Sequence, residues 1–399
     1  MNDNDEIYAD NAATTRMSER ALRVFEETAR GAWGNPSSLH RTGQNAAMVL
    51  DSARRAVASA LGASPAEILF TSGGSESDNQ ALLTGAMAGK AAGKTHIIST
   101  AVEHHAVLNT LDRLESMGFS VTRLAPEPDG TITPAAVEEA IRPETALVSV
   151  MAANNEIGTI EPVAEIGRIC RRAGVLFHTD AVQAAGHLPL DTEAMNIDLL
   201  SLSGHKFHGP KGTGALYVRR GTEAFSLILG GGQERGHRAG TENVPGIASM
   251  AEALKECCEN MDRDMAAVTE LRDRLIRRLL RIPHTRLNGS AEHRLPGNVN
   301  ITFEGVQGES LLLLLDERGI AASAGSACSA GSVDPSHVLK AIGLSDSLAA
   351  STLRFSLDTG NTAEEADRIA DAAEEAVARL RSFSPVWKEM ESGARPHEI

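Results

Sequence analysis

The sequence predicts an α/β protein: a large domain with a mainly parallel sheet flanked by helices, joined to a smaller α/β domain. Three observations carry this. Short apolar runs alternate with helical patterns from about residue 20 to about residue 260. A helical stretch rich in both charge signs then runs from Gly246 to about Ile282 and reads as a connector. The chain has 399 residues with 42% hydrophobic content, ample for two cores. Aromatics make up only 3%, so those cores are aliphatic and alanine-rich.

Taken in order, Leu22, Val24 and Phe25 lie in a first helix. Residues 48–61 are alanine-rich with apolar spacing at Val49, Val57 and Leu61, and Gly62 stops them. Residues 68–70 form a short strand that runs into the polar turn 71–79 and then a helix. Residues 96–99 and 146–150 read as buried strands. Thr133 followed by Pro134 is a capped helix start. Residues 175–177 and 197–202 are further strands. In the second unit, 298–303 is a strand, 309–318 a helix burying Leu311 and Leu315, and 352–357 a strand. Thr362 and Glu365 form a capping box that opens the last long helix, with Ile369, Ala373, Val377 and Leu380 on one side. The expected division is 16–262 for the large domain, and 1–15 with 263–399 for the small one. There is no internal repeat.

The formal net charge of −15 does not favour nucleic acid, whose binders tend to be basic. No apolar run approaches the roughly 20 residues that span a bilayer. The acidic start, Met1 to Glu6, lacks the basic and apolar regions of a signal peptide, so a cytoplasmic protein is expected. Four cysteines, Cys170, Cys257, Cys258 and Cys328, show no C-x-x-C spacing, which argues against a structural zinc site or a disulfide framework.

The richest stretch is 201–212, where Lys206 ends an apolar run between hydroxyl and imidazole groups. A lysine where a strand meets a turn, partly desolvated, can lose its proton and bond an aldehyde cofactor. The plain alternative is a solvated surface lysine. Asp180 ends the strand 175–177, where open α/β sheets place ligands. It could keep the ring nitrogen of pyridoxal phosphate protonated, or be a solvated loop residue. Gln183, one helical turn on, could donate to the ring hydroxyl or be a plain helix glutamine. The turn 72–76 opens a helix, and its backbone N–H groups with the Ser75 hydroxyl suit a phosphate, although a tight turn alone reads the same way. Ser203 and His205 flank the lysine as further donors. His104 follows a strand and could stack on a cofactor ring and move protons, or be structural. Asn154 and Asn155 close another strand, with turn chemistry as the alternative.

Together, residues 8–15 (YADNAATT), 34–38 (GNPSS), 154–158 (NNEIG), 205–211 (HKFHGPK), 238–243 (RAGTEN) and 325–329 (GSACS) resemble the NifS/IscS-type cysteine desulfurases of the class V aminotransferase group, over about residues 7–387. The resemblance implies the pyridoxal-phosphate transferase fold and assigns roles. Lys206 is the cofactor-bonded lysine, and Lys211 a loop residue. Asp180 pairs the ring nitrogen, Gln183 the ring oxygen, and His104 stacks and acts as acid and base. Gly74, Ser75, Ser203 and His205 hold the phosphate. Thr241 adds a contact from the other subunit of a homodimer. Asn155 contacts cofactor and substrate. Arg354 clamps the substrate carboxylate with its planar fork; otherwise it reads as a surface ion pair. Cys328 is the nucleophile that takes sulfur from L-cysteine, leaving alanine.

Around Cys328 the run of alanine, serine and glycine, about residues 322–334, reads as a mobile loop with the reach to deliver sulfur, and resembles the long-loop group. The other cysteines read as small buried hydrophobes. The implied partners are a sulfur acceptor or iron–sulfur scaffold protein. No permanent metal is expected, Cys328 being at most a transient iron–sulfur ligand. A selenocysteine lyase or an aminotransferase of the same fold is the alternative. The sequence departs from the family pattern at Gly74-Ser75, where many relatives have a threonine beside a small residue, and at His237, where a second basic residue is common.

Overall fold

The computed structural model describes residues 6–324 and 335–399. Its strands are β1 Ile7–Tyr8, β2 Ile68–Thr71, β3 His96–Thr100, β4 Ser120–Leu124, β5 Thr145–Ser149, β6 Leu176–Asp180, β7 Leu199–Ser203, β8 Gly214–Val218, β9 Thr285–Leu287, β10 Asn298–Phe303, β11 Ile320–Ala321, β12 Ser323–Ala324 and β13 Thr352–Ser356. Its helices are α1 Glu19–Gly31, α2 Arg41–Ala60, α3 Gly74–Ala91, α4 His105–Ser116, α5 Pro134–Ala140, α6 Val163–Ala173, α7 Val244–Leu279, α8 Gly308–Asp316, α9 His337–Ala341, α10 Asp346–Ala350, α11 Ala363–Phe383 and α12 Pro385–Glu391.

Among the described residues, the larger sheet has seven strands in the order β2-β8-β7-β6-β5-β3-β4. The run β7-β6-β5-β3-β4 is parallel, and β8 alone runs against its neighbours. Strands β2, β3, β5, β6, β7 and β8 are almost wholly buried, as expected of strands covered by helices on both faces. A second, antiparallel sheet has the order β12-β13-β10-β9, and β1 pairs parallel with β11 beside it. The chain start therefore packs with late strands: Asp10 bridges Ser356.

Two further packing facts position the site. One set of buried side chains fills the faces of the large sheet. Another is built from β10, β13, α8 and α11. Helix α7 touches both, with buried residues at Val244–Leu254 and again from Val268 to Leu279; Pro245 stands in its first turn, where its missing N–H costs nothing. Expected elements appear with small shifts. Helix α2 starts at Arg41 rather than at 48, because His40 caps it through Nδ1. Gly62, with φ +64, ends it as expected. Thr133 and Thr362 cap α5 and α11 in the manner the sequence implied.

Candidate active site

The candidate residues gather at the carboxyl ends of the parallel strands. Asp180 is the last residue of β6 and is 5% exposed. Its Oδ1 accepts from the Val182 N–H at 2.9 Å, which turns the chain sharply after the strand. Burial raises its carboxyl to about 6, against lowering by the Val182 N–H and the Lys206 charge. Lys206 ends a short 3-10 turn after β7. Its Nζ donates to the main-chain oxygens of Ala12, at 2.6 Å, and Ala13, at 2.8 Å. Gln183 Nε2 donates to the same Ala12 oxygen at 3.0 Å. Lysine and glutamine thus converge on one point of the N-terminal segment.

That segment is stitched to the lysine turn elsewhere too. The Thr15 N–H and Oγ1–H both donate to the His205 carbonyl, and His205 Nδ1 lies 3.2 Å from Thr14 Oγ1. His104 caps α4, its Nδ1 accepting from the Ala106 N–H at 3.1 Å, so the ring proton belongs on Nε2. Burial, with help from the Lys206 and His105 charges, holds His104 down to about 4; burial and the charges of Lys206 and Lys211 do the same for His205. Beneath them, His178 is wholly buried and lowered to about 3. Its Nδ1 and Nε2 contact Ser149 and Ser201 hydroxyls. Glu103 is buried and raised to about 8, with Oε1 accepting from the Met151 N–H and the Thr100 hydroxyl.

The glycine turn after β2 leads into α3, whose N-cap, Gly73, makes no side-chain capping bond. A Cβ on Gly74 would stand 2.6 Å from Val182 Cγ2, so only glycine lets this helix end approach the Asp180 turn. Ser203 is buried beside Gly73, and Ser75 is exposed. Glu76, on the first turn, is tied by the Ser72 N–H and by Arg238 Nε at 2.9 Å. Thr241 is exposed and lines a cleft with Ser72 and Arg238.

The opposite wall comes from the second sheet. Arg354, on β13, is 2% exposed, which corrects the surface-ion-pair alternative. Its Nη2 donates to Asp10 Oδ1 at 2.9 Å and its Nη1 to the Asn155 carbonyl at 2.8 Å. Its Nε is buried with no acceptor among the described residues. Asn155 itself is buried, whereas Asn154 shapes the turn: its Oδ1 accepts from the Glu156 and Ile157 N–H groups, the turn chemistry weighed as its alternative.

Cys328 lies outside the described residues. Of those on either side of 325–334, Ser323 is anchored at this wall, and Ser336 and His337 at the large-domain side. Ser323 pairs with Arg354 across β12 and β13. Ser336 Oγ donates to the Glu156 carboxylate, and His337 Nε2 lies 2.9 Å from the Glu103 carbonyl. Of the other cysteines, Cys170 is buried as expected, but Cys257 and Cys258 are only half-buried. Burial raises the Cys170 thiol to about 12 and pushes the other two up as well, so none is a ready nucleophile.

The main-chain carbonyls of Ala12 and Ala13 and the Asp10 carboxylate were not foreseen. Their only signal was the quoted 8–15 motif. No helix among the described residues is long and apolar enough to cross a membrane.

A buried aspartate at a strand end and a lysine amine in the turn after the next strand, beside a glycine-opened helix end, are the groups a pyridoxal-phosphate enzyme uses. A family model described as "Aminotransferase class-V" matches residues 7–369. A cysteine desulfurase IscS from Methanosarcina thermophila is 48% identical over 96% of this chain and 95% of its own. The mitochondrial cysteine desulfurase of Eremothecium gossypii is 47% identical over 97% of this chain and 79% of its own. Among solved structures, a NifS-like protein superposes with a TM-score of 0.88 at 38% identity, covering 94% of this chain and all of the other. The chain belongs to the class-V aminotransferase family, and within it to the cysteine desulfurases of the NifS/IscS type. Pyridoxal phosphate is its cofactor, and the residues fit the group: an acid at a strand end for the ring nitrogen, an amine for the aldehyde, and the close Gly74 approach that leaves the α3 N-terminus for the phosphate.

Proposed function

We propose that the chain removes the sulfur of L-cysteine through the residues described above, releasing L-alanine and holding the sulfur on Cys328 until an acceptor protein takes it. The observation that carries the assignment of roles is the convergence of Lys206 and Gln183 on the Ala12 carbonyl, with buried Asp180 alongside.

Asp180, Gln183 and His104 hold the cofactor ring; Gly74, Ser75, Ser203 and His205 hold its phosphate, joined by Thr241 from the second subunit of a homodimer. When bound, the cofactor supplies an electron sink for charge left at the substrate Cα. Arg354 orients the cysteine carboxylate, its Nε, without an acceptor among the described residues, and the Asp10-held fork providing donors, and Asn155 borders the same position. Lys206 would hold the cofactor through its aldehyde, and its amine is the base placed to take the substrate α-proton. His104, neutral near pH 7, passes protons beside it. The Cys328 thiolate attacks the γ-sulfur; the new S–S bond forms as the C–S bond breaks, and the three-carbon product is protonated to alanine. Cys328 then hands on a persulfide, with an iron–sulfur scaffold as the acceptor and the cysteine as a transient ligand there. The large domain, 16–262, serves the cofactor, and residues 1–15 with 263–399 serve the substrate.

The test is a product balance. L-cysteine with a thiol reductant is expected to yield alanine and sulfide in equal amounts; pyruvate and a new amino acid would sink the reading.

A further inference from the structure

The C-terminal end of the chain folds back onto β10, at the end of that strand remote from Asn298. Glu304, just past β10, has a side chain only 1% exposed. Its Oε1 accepts from the Glu398 N–H. Its Oε2 lies 2.8 Å from His397 Nδ1 and 3.4 Å from His284 Nδ1. The two imidazoles stack, with centroids 3.8 Å apart and planes at 19°. Trp387 packs edge-on against both rings and closely over Gly305, where a Cβ would stand 2.4 Å from its Cε3.

The cluster is held from behind. Arg381 lies over the Trp387 ring at 4.0 Å and donates to the main-chain oxygens of Pro283, His284 and Glu304. One side chain therefore fixes both sheet-side segments that aim at the cluster. His284 has φ +54, a left-handed conformation that few non-glycine residues adopt, so its ring direction is imposed by the surroundings.

We propose that His284, Glu304 and His397 form a binding site for a divalent transition cation of the Zn2+ class, clamping the C-terminal segment to the small sheet. One ligand atom from each residue lies within 4.8 Å of the others. A tetrahedral ion about 2.0–2.1 Å from each ligand needs those atoms about 3.3 Å apart. The two separations to Glu304 Oε2, 2.8 and 3.4 Å, bracket that value, the histidine pair lies within 4.8 Å, and the stacked His397 ring turns out of the stack so that both in-plane lone pairs meet the ion. Two imidazole nitrogens and one carboxylate oxygen suit Zn2+, Co2+ or Ni2+ better than Mg2+ or Ca2+, which favour all-oxygen shells. The ion replaces the proton shared between His397 Nδ1 and Glu304, which is released to solvent, and the proton that His284 Nδ1 directs at the Ile399 oxygen moves to its Nε2, leaving Nδ1 free to ligate. The Ile399 main-chain oxygen, 3.1 Å from His284 Nδ1, or a water completes the shell. The site takes no part in sulfur chemistry; it is a structural clasp.

The experiment uses holoenzyme carrying Cys328→Ser, so that the sulfur-carrying thiol is not a competing ligand. The chelator-stripped protein is dialysed against Zn2+ and assayed for bound metal and melting temperature. One equivalent per chain is expected, with a melting temperature that rises with Zn2+. Glu304→Gln, which keeps the side-chain shape, and His397→Ala should each weaken uptake by more than the roughly 10–100-fold lost on removing an outer-shell partner, while the cofactor absorbance shows that both remain folded. Zinc uptake that is absent, or equal in parent and variants, would overturn the site and leave the cluster a hydrogen-bonded clasp alone.

Discussion

The two walls of the active site treat charge in opposite ways. On the large-domain wall, burial removes it: His104, His178 and His205 are held down to about 4, 3 and 4, and Glu103 keeps its proton up to about 8. On the small-domain wall a guanidinium, Arg354, is kept under 2% exposure by giving it Asp10 and a carbonyl. In the proposed reading, a cofactor wall needs position with few rival charges, so that Lys206 and Asp180 act on the cofactor and on each other. A substrate wall needs one fixed positive charge that recognises a carboxylate.

The largest effect should come from Lys206→Ala. Activity should fall by at least about 10²–10⁴-fold, the range for a lost acid–base group, and the lysine-bound cofactor absorbance should vanish. An unchanged spectrum would move the role to another lysine, Lys211 first. Next is Arg354→Lys, which keeps the charge but loses the fork. Loss of a charge-assisted hydrogen bond, about 1.5–3 kcal/mol, should raise KM for cysteine by about ten- to a hundredfold with the cofactor spectrum intact. A spectrum that also shifts would show that the walls are not separable.

The smallest effect concerns discharge by burial. Glu103 has a folded-state value of about 8, above its ordinary 4.5. Its stabilising contribution is full below about pH 4.5 and is lost as pH rises through about 8. The neutral histidines act in the other direction, costing stability as pH falls below about 6.5, their ordinary value. Between pH 5 and 9, Tm of the parent should therefore fall by a few degrees more than that of Glu103→Gln. Parallel curves would mean that this wall is not discharged in the way described.

How far the sequence could be read differs between the walls for the same physical reason. Asp180, Lys206, Gln183 and His104 each follow an apolar strand within a few residues, so local pattern reveals their place. Arg354 sits on a short strand whose burial depends on Asp10, 344 residues earlier, and no local window holds that pairing. The Ala12 and Ala13 carbonyls are main-chain atoms and leave no side-chain signature. Strand β8 went unread although it is as long as β3, β5, β6 and β7, and its reversed direction is a property of the sheet alone.

Helix α7 has a mechanical consequence. Thirty-six residues make a rod about 54 Å long. Its two ends are buried in different cores, while the stretch between Leu254 and Val268 has no buried residue. The rod is thus gripped most firmly at its two ends, with Cys257 and Cys258 half-buried against the large core between them. A cut near its centre would leave each core packed and the walls still joined through Arg354, the Asn155 carbonyl and Asp10, so α7 shares with direct hydrogen bonds the work of fixing Lys206 against Arg354.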